Sequence, residues 1–132
     1  MKQEDKELLL RDLCARLPYG VICELYNATC TIKEKLLYGG LSHFVDDTIC
    51  VRPFLRPMSS MTEEERKEIG ILIREKRPNP YGIINNEGVD NLLLSVSVTS
   101  TVLIDWLNAH HFDYRGLIDR GLALEAPEGM YD

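Results

Sequence analysis

Apolar and polar positions follow two different periods along this chain, and the changes of period mark its elements. In residues 6–17, Leu9, Leu10, Leu13, Cys14 and Leu17 recur at helical spacing and share a face, which predicts a first helix. Pro18 and Gly20 end it. From about 20 to 57 the period shortens and the reading turns to β. Residues 21–25 and 28–33 flank Tyr26-Asn27 as the arms of a hairpin. In the second arm Ala28, Cys30 and Ile32 alternate with Thr29, Thr31 and Lys33, the pattern of a half-buried strand. Residues 36–38, just before Gly39-Gly40, read as a third strand. Residues 48–55 read as a fourth, with Pro53 confining part of it to an edge or a bulge.

Thr62 with Glu65 three residues on forms a capping box, so a middle helix is expected over 63–76. Its stripe of Ile69, Leu72 and Ile73 is narrow, and Ile71 lies on the far side. Residues 77–82 read as a rigid proline-rich loop, 83–91 stay open between turn and strand, and 92–98 read as a strand. A last helix is expected over about 100–111, capped by Thr99 or Ser100. On it Val102, Leu103, Trp106, Leu107 and Ala109 share one face and Asp105 and Asn108 the other. His110 falls near the middle of the apolar face, as a hydrogen-bonded core residue, and His111 at its edge, partly exposed. This tryptophan helix reads as the element around which the core is organised. Gly116 and Asp119-Arg-Gly121 mark turns, 122–124 a short strand, and Pro127-Glu-Gly129 the start of a tail.

Together these elements predict an α+β fold in a single domain spanning 1–132. A small antiparallel sheet or partial SH3-like barrel (about 20–57) packs with an N-terminal helix, a middle helix (63–76) and a tryptophan-containing C-terminal helix. Three stretches carry a likeness as well: Asp105-Trp-Leu-Asn-Ala-His-His-Phe-Asp-Tyr-Arg-Gly-Leu-Ile118 with Gly121-Leu-Ala-Leu124, Glu7 through Val21, and Ser59 through Glu64. They resemble the signatures of a family of uncharacterised Bacteroidetes proteins often associated with phage-like or mobile elements. Residues 69–101 lie outside the likeness. The resemblance implies a setting and assigns no site residues.

Composition narrows the function. The 132 residues are 45% apolar, enough for a core and against wholesale disorder. A net charge of −6 disfavours general affinity for a phosphate backbone. From Thr99 onward Asp105, Asp113, Asp119, Glu125, Glu128 and Asp132 stand against Arg115 and Arg120, which suits solubility or a basic protein partner better than nucleic acid. The densely charged start lacks the apolar core of a secretory leader, and no apolar run reaches membrane-spanning length. A cytoplasmic chain with reduced thiols is expected. Cys14, Cys23, Cys30 and Cys50 lack C-x-x-C spacing, so small apolar fillers are expected rather than a zinc site.

The candidate chemistry is sparse. His110, His111, Asp113 and Tyr114 could form a metal or acid–base cluster. Adjacent helical residues, however, point about 100° apart, whereas helical metal ligands sit at i, i+4. His43 with Asp46 and Asp47 makes a second trio, in a stretch where aspartates are ordinary turn residues. Ser59-Ser60 lacks a nucleophile elbow, and Gly39-Gly40 lacks the flanks of a phosphate loop. Arg66, Lys67, Arg74, Lys76 and Arg77, joined by Arg52 and Arg56, could touch phosphates, but Glu63, Glu64, Glu65, Glu68 and Glu75 are interspersed among them. The leading expectation is a small non-enzymatic interaction or accessory protein with an unidentified protein partner and no cofactor, metal or catalytic residue. Its surface would be centred on Phe112, Tyr114 and Arg115, because aromatics and arginine dominate interface energetics. A metal-dependent hydrolase using His and Asp residues, and a nucleic-acid-binding module, are the alternatives.

Overall fold

The structure is a computed structural model that describes residues 1–76 and 101–131. The loop expected at 77–82, the open stretch 83–91, the strand at 92–98 and the caps at Thr99 and Ser100 lie outside the described residues. The first helix, α1 (Gln3–Arg16), carries Glu4 and Asp5 in its first turn and Arg16 in its last, the arrangement the helix dipole favours. It buries Leu9 and Leu13, and with them Asp12 and Arg16; Cys14 is exposed. A 3₁₀ turn (Leu17–Tyr19) and Gly20, at φ 71°, stop it.

Strand β1 (Ile22–Tyr26) buries Cys23 and Leu25 on one face. The turn that follows is held by Asn27, whose Oδ1 accepts from the Thr29 and Cys30 amides at 2.9 Å each. Strand β2 (Thr31–Lys35) is therefore shorter than the expected hairpin arm, and it is exposed along its whole length. The alternation at Ala28, Cys30 and Ile32 does not produce a half-buried strand, because β2 is the sheet edge and no layer of the described residues packs over it.

Residues 36–38 are not a third strand. Helix α2 (Tyr38–Val45) begins there and runs through both glycines, burying Leu41 and Phe44. Gly40 is the reason it fits: a Cβ at that position would stand 2.9 Å from Leu25 Cδ2. Strand β3 (Cys50–Leu55) follows, and Pro53, opposite Cys23, sits where the other side of β3 has no strand partner among the described residues. Helix α3 (Glu63–Lys76) starts at the expected capping box: the Glu65 amide donates to Thr62 Oγ1 (3.2 Å) and the Thr62 amide to Glu65 Oε1 (3.0 Å). Helix α4 (Thr101–Ala109) carries Trp106. Strand β4 (Leu124–Glu125) closes the sheet.

The sheet order is β2-β1-β3-β4. Strand β1 is antiparallel to β2 and β3, and β4 is parallel to β3 through Phe54↔Leu124 and Leu55↔Glu125. The fold is thus α+β with a mixed sheet. Its larger apolar cluster joins α1, α2 and the sheet to Leu117, Leu122 and Ala123. Trp106 belongs to a second, smaller cluster with Met61, Ile69, Leu103, Leu107 and Phe112. The tryptophan helix therefore organises one flank, and the sheet with α1 and α2 organises the centre. Each large buried side chain contributes about 1.5–3 kcal/mol, so the larger cluster dominates. Among the described residues no helix is long and apolar enough to cross a membrane.

Candidate functional site

The end of α4 shapes the site. The His111 amide donates to Asn108 O (3.1 Å) and the Phe112 amide to Leu107 O (3.0 Å), while His111 adopts φ 64°. This is a Schellman motif with histidine at the left-handed position that glycine usually fills. Phe112 then packs beside Leu107, the apolar contact that accompanies the motif. The next residues bridge to the end of β3: the Arg56 amide donates to His111 O (2.7 Å) and the Asp113 amide to Arg56 O (2.9 Å).

The two histidines exchange the places expected of them. His111 is the buried one, 8% exposed, with its ring stacked on Tyr131 at 3.6 Å. His110 is half-buried, stacked on Trp106 at 3.9 Å. The left-handed turn at His111 explains the exchange, because it swings that side chain off the helical face. Burial first, and then the charges of Arg16, His110 and Arg56, push the His111 ring down to about 4. Its Nδ1 is buried and has no hydrogen-bond partner among the described residues. His110 Nδ1 lies 2.9 Å from Trp106 O. A carbonyl only accepts, so Nδ1 carries the proton, and in the neutral ring Nε2 is an acceptor.

The stack continues from His110 through Trp106 to Phe112, whose ring lies 5.8 Å from the indole. The Arg56 guanidinium lies over the Phe112 ring at 4.1 Å. Glu65 clamps Arg56 with two bonds of 2.7 and 2.8 Å. Those bonds hold the Glu65 carboxyl at about 2, well below its ordinary range. One carboxylate thus caps α3 and fixes the arginine that lids the stack.

Around these groups lies a cleft of about 610 Å³. Its walls come from the end of β3, the start of α3, the end of α4 and the C-terminal segment, and include Ser60, Glu65, His110, His111, Glu125 and Glu128. The segment after Pro127 is not a loose tail. The Tyr131 hydroxyl donates to Phe54 O (2.7 Å) and accepts from the Ile22 amide (2.9 Å), tying it to the sheet. Sequence reasoning missed Tyr131, Ser60, Glu125 and Glu128 as wall residues, because nothing in local spacing brings 125–131 to the start of α3.

Of the three residues expected to form an interaction surface, one is wholly buried and two are half-buried. Phe112 is wholly buried, which removes it from any surface. Tyr114 and Arg115 are half-buried: the Tyr114 hydroxyl donates to Asn108 Oδ1 (2.9 Å), and Arg115 donates to Asp12 Oδ1 and to the Tyr114 hydroxyl (3.2 Å each). Asn108, expected on the polar face, is buried to meet that hydroxyl. Asp113 is taken up by the next turn, its two oxygens accepting from the Leu117 (2.8 Å) and Ile118 (2.9 Å) amides.

The other candidate clusters are also dispersed. Asp47 pairs with Lys6, and His43 is an exposed residue of α2. Arg52 pairs with Glu24 (2.5 Å) and Arg56 with Glu65. Ser60 Oγ donates to Pro57 O (2.7 Å). Cys23 alone is a core filler, its thiol pushed up to about 12 chiefly by burial; Cys14, Cys30 and Cys50 are exposed, and all four are free. Among the described residues no three His, Cys, Asp or Glu side chains cluster as a metal site would require. Comparisons with protein-family profiles, with curated proteins and with solved structures return no match.

Proposed function

We propose that this chain is a small protein-interaction module that acts as a non-catalytic accessory factor. One observation carries the reading: Tyr38 is 78% exposed, Leu37 62% and Tyr19 38%, and they gather with Pro18 around a shallow depression. Contiguous exposed apolar groups mark interaction surfaces, and tyrosine is enriched there. The stem of Lys35 lies over Gly20 at the same place, and its ammonium has no ion-pair partner among the described residues. The face suits a partner segment that brings an apolar side chain and a carboxylate.

The setting we propose rests on the resemblance of the two ends and the 59–64 junction to proteins of phage-like or mobile elements. Immobilised wild-type protein, a Leu37→Ser/Tyr38→Ser variant and Lys35→Glu, exposed to one extract, test the reading. Both variants should lose a protein that the wild type retains, with melting temperatures unchanged. Identical captured sets, or no capture by the wild type, would remove the interaction role from this face.

A further inference from the structure

The cleft beside His110 and His111 carries a second and independent reading, since it shares no residue with the Tyr38 face. Its polar groups are unequally used. Arg56 and Glu65 neutralise one another. Glu125 and Glu128 are exposed and have no ion-pair partner among the described residues. The Ser60 hydroxyl spends its proton on Pro57 O and keeps its lone pairs. His110 presents an acceptor at Nε2, because its Nδ1 proton is committed to Trp106 O. His111, more than nine-tenths buried in the same wall, holds a ring nitrogen without a hydrogen-bond partner among the described residues. Arg56, the cation of this wall, is neutralised by Glu65, so the charges left without an ion-pair partner among the described residues of the lining are carboxylates.

We propose that this cleft binds a guanidinium group. Its five N–H donors in one plane match an acceptor-rich wall, and its charge answers Glu125 and Glu128. Its flat faces also stack on aromatic rings, which line this wall at His110 and at Tyr131. Such a group comes either on a free alkylguanidine or on an arginine side chain of a partner protein.

Titration calorimetry and the ring-proton NMR signals of His110 and His111 test this with three probes. They are agmatine, a blocked Gly-Arg-Gly peptide, and the same peptide with citrulline, a neutral isostere, in place of arginine. Agmatine or the arginine peptide should bind saturably, move both histidines' signals and weaken with salt. The citrulline peptide should not bind. The tighter of the two cationic probes identifies the source of the group. Glu125→Gln/Glu128→Gln, on exposed positions that leave the fold intact, should weaken binding about fivefold or more. Equal binding of the citrulline peptide, unchanged affinity in the double variant, or no histidine shifts at tens of millimolar probe would each overturn the proposal.

Discussion

At the scale of the residue, two groups make the stability of this protein depend on acid, each in its own pH window. Neutral His111 is favoured by the fold: its value falls from 6.5 to about 4. The unfolded chain therefore binds more protons between those limits. Stability is full above 6.5 and is lost as pH falls toward 4, by an amount on the order of 3 kcal/mol. Glu65 is ionised in the fold from about 2 upward, against 4.5 ordinarily. Its contribution, smaller because solvent screens the pair, is present above 4.5 and disappears as pH falls toward 2. Urea unfolding followed from pH 7 to 2 should show both losses in sequence. His111→Asn tolerates the left-handed backbone and should flatten the upper window while lowering stability at pH 7. Glu65→Gln keeps a capping-box side chain and should flatten only the lower window. A wild-type profile that is flat between 6.5 and 4 would mean that His111 titrates as a free imidazole. The sequence displayed the capping box directly. It concealed the exchange of the histidines, because a left-handed helix end is normally announced by glycine and here is occupied by an imidazole.

At the scale of the element, α2 shows why a local pattern can mislead. Two glycines cost a helix about 1 kcal/mol each relative to alanine, so 38–45 has little helical propensity of its own. What sustains it is the close approach of Gly40 to Leu25 and the burial of Leu41 and Phe44, contacts that no sequence window contains. The glycines should therefore respond oppositely to the same change. Gly39 faces open space, and Gly39→Ala should stabilise the protein by about 0.5–1 kcal/mol. Gly40→Ala must displace the buried Leu25 side chain, and overpacking of that kind costs about 1–3 kcal/mol. Thermal unfolding of the two variants measures the contrast, and equal shifts would dissolve the steric account. Strand β2 misleads differently. Its alternation is real, but Lys33, Glu34 and Lys35 charge an outer edge that no layer of the described residues covers. Such charges discourage pairing with a further strand, so the pattern protects an edge instead of facing a core.

At the scale of the whole molecule, the two ends of the chain are joined by a buried polar knot. Asp12 and Arg16 are both fully buried on α1. Asp12 accepts from Arg16 (2.8 Å) and from Arg115 (3.2 Å), and Arg16 also donates to Phe112 O (2.6 Å). Phe112, Tyr114 and Arg115, the residues expected to face a partner, hold α1 against the segment that follows α4. The elements themselves were largely readable, with the α+β class, the capping box, three of the helices and most of β1 and β3 following from local spacing. Their joining was not, since an aspartate in an N-terminal helix reads as solvent-exposed until an arginine 103 positions away covers it. The knot predicts an order of sensitivity. Asp12→Ala leaves the Arg16 charge buried and uncompensated, and losing one member of such a pair costs about 3–5 kcal/mol. Arg115→Met removes a partly exposed charge and keeps its apolar stem, so it should cost about 1 kcal/mol or less. Denaturant titration at neutral pH decides between a structural knot and a binding surface. If Arg115→Met proved as damaging as Asp12→Ala, the half-exposed arm would be the main strut. If Asp12→Ala were nearly silent, the two ends would be held by apolar burial alone.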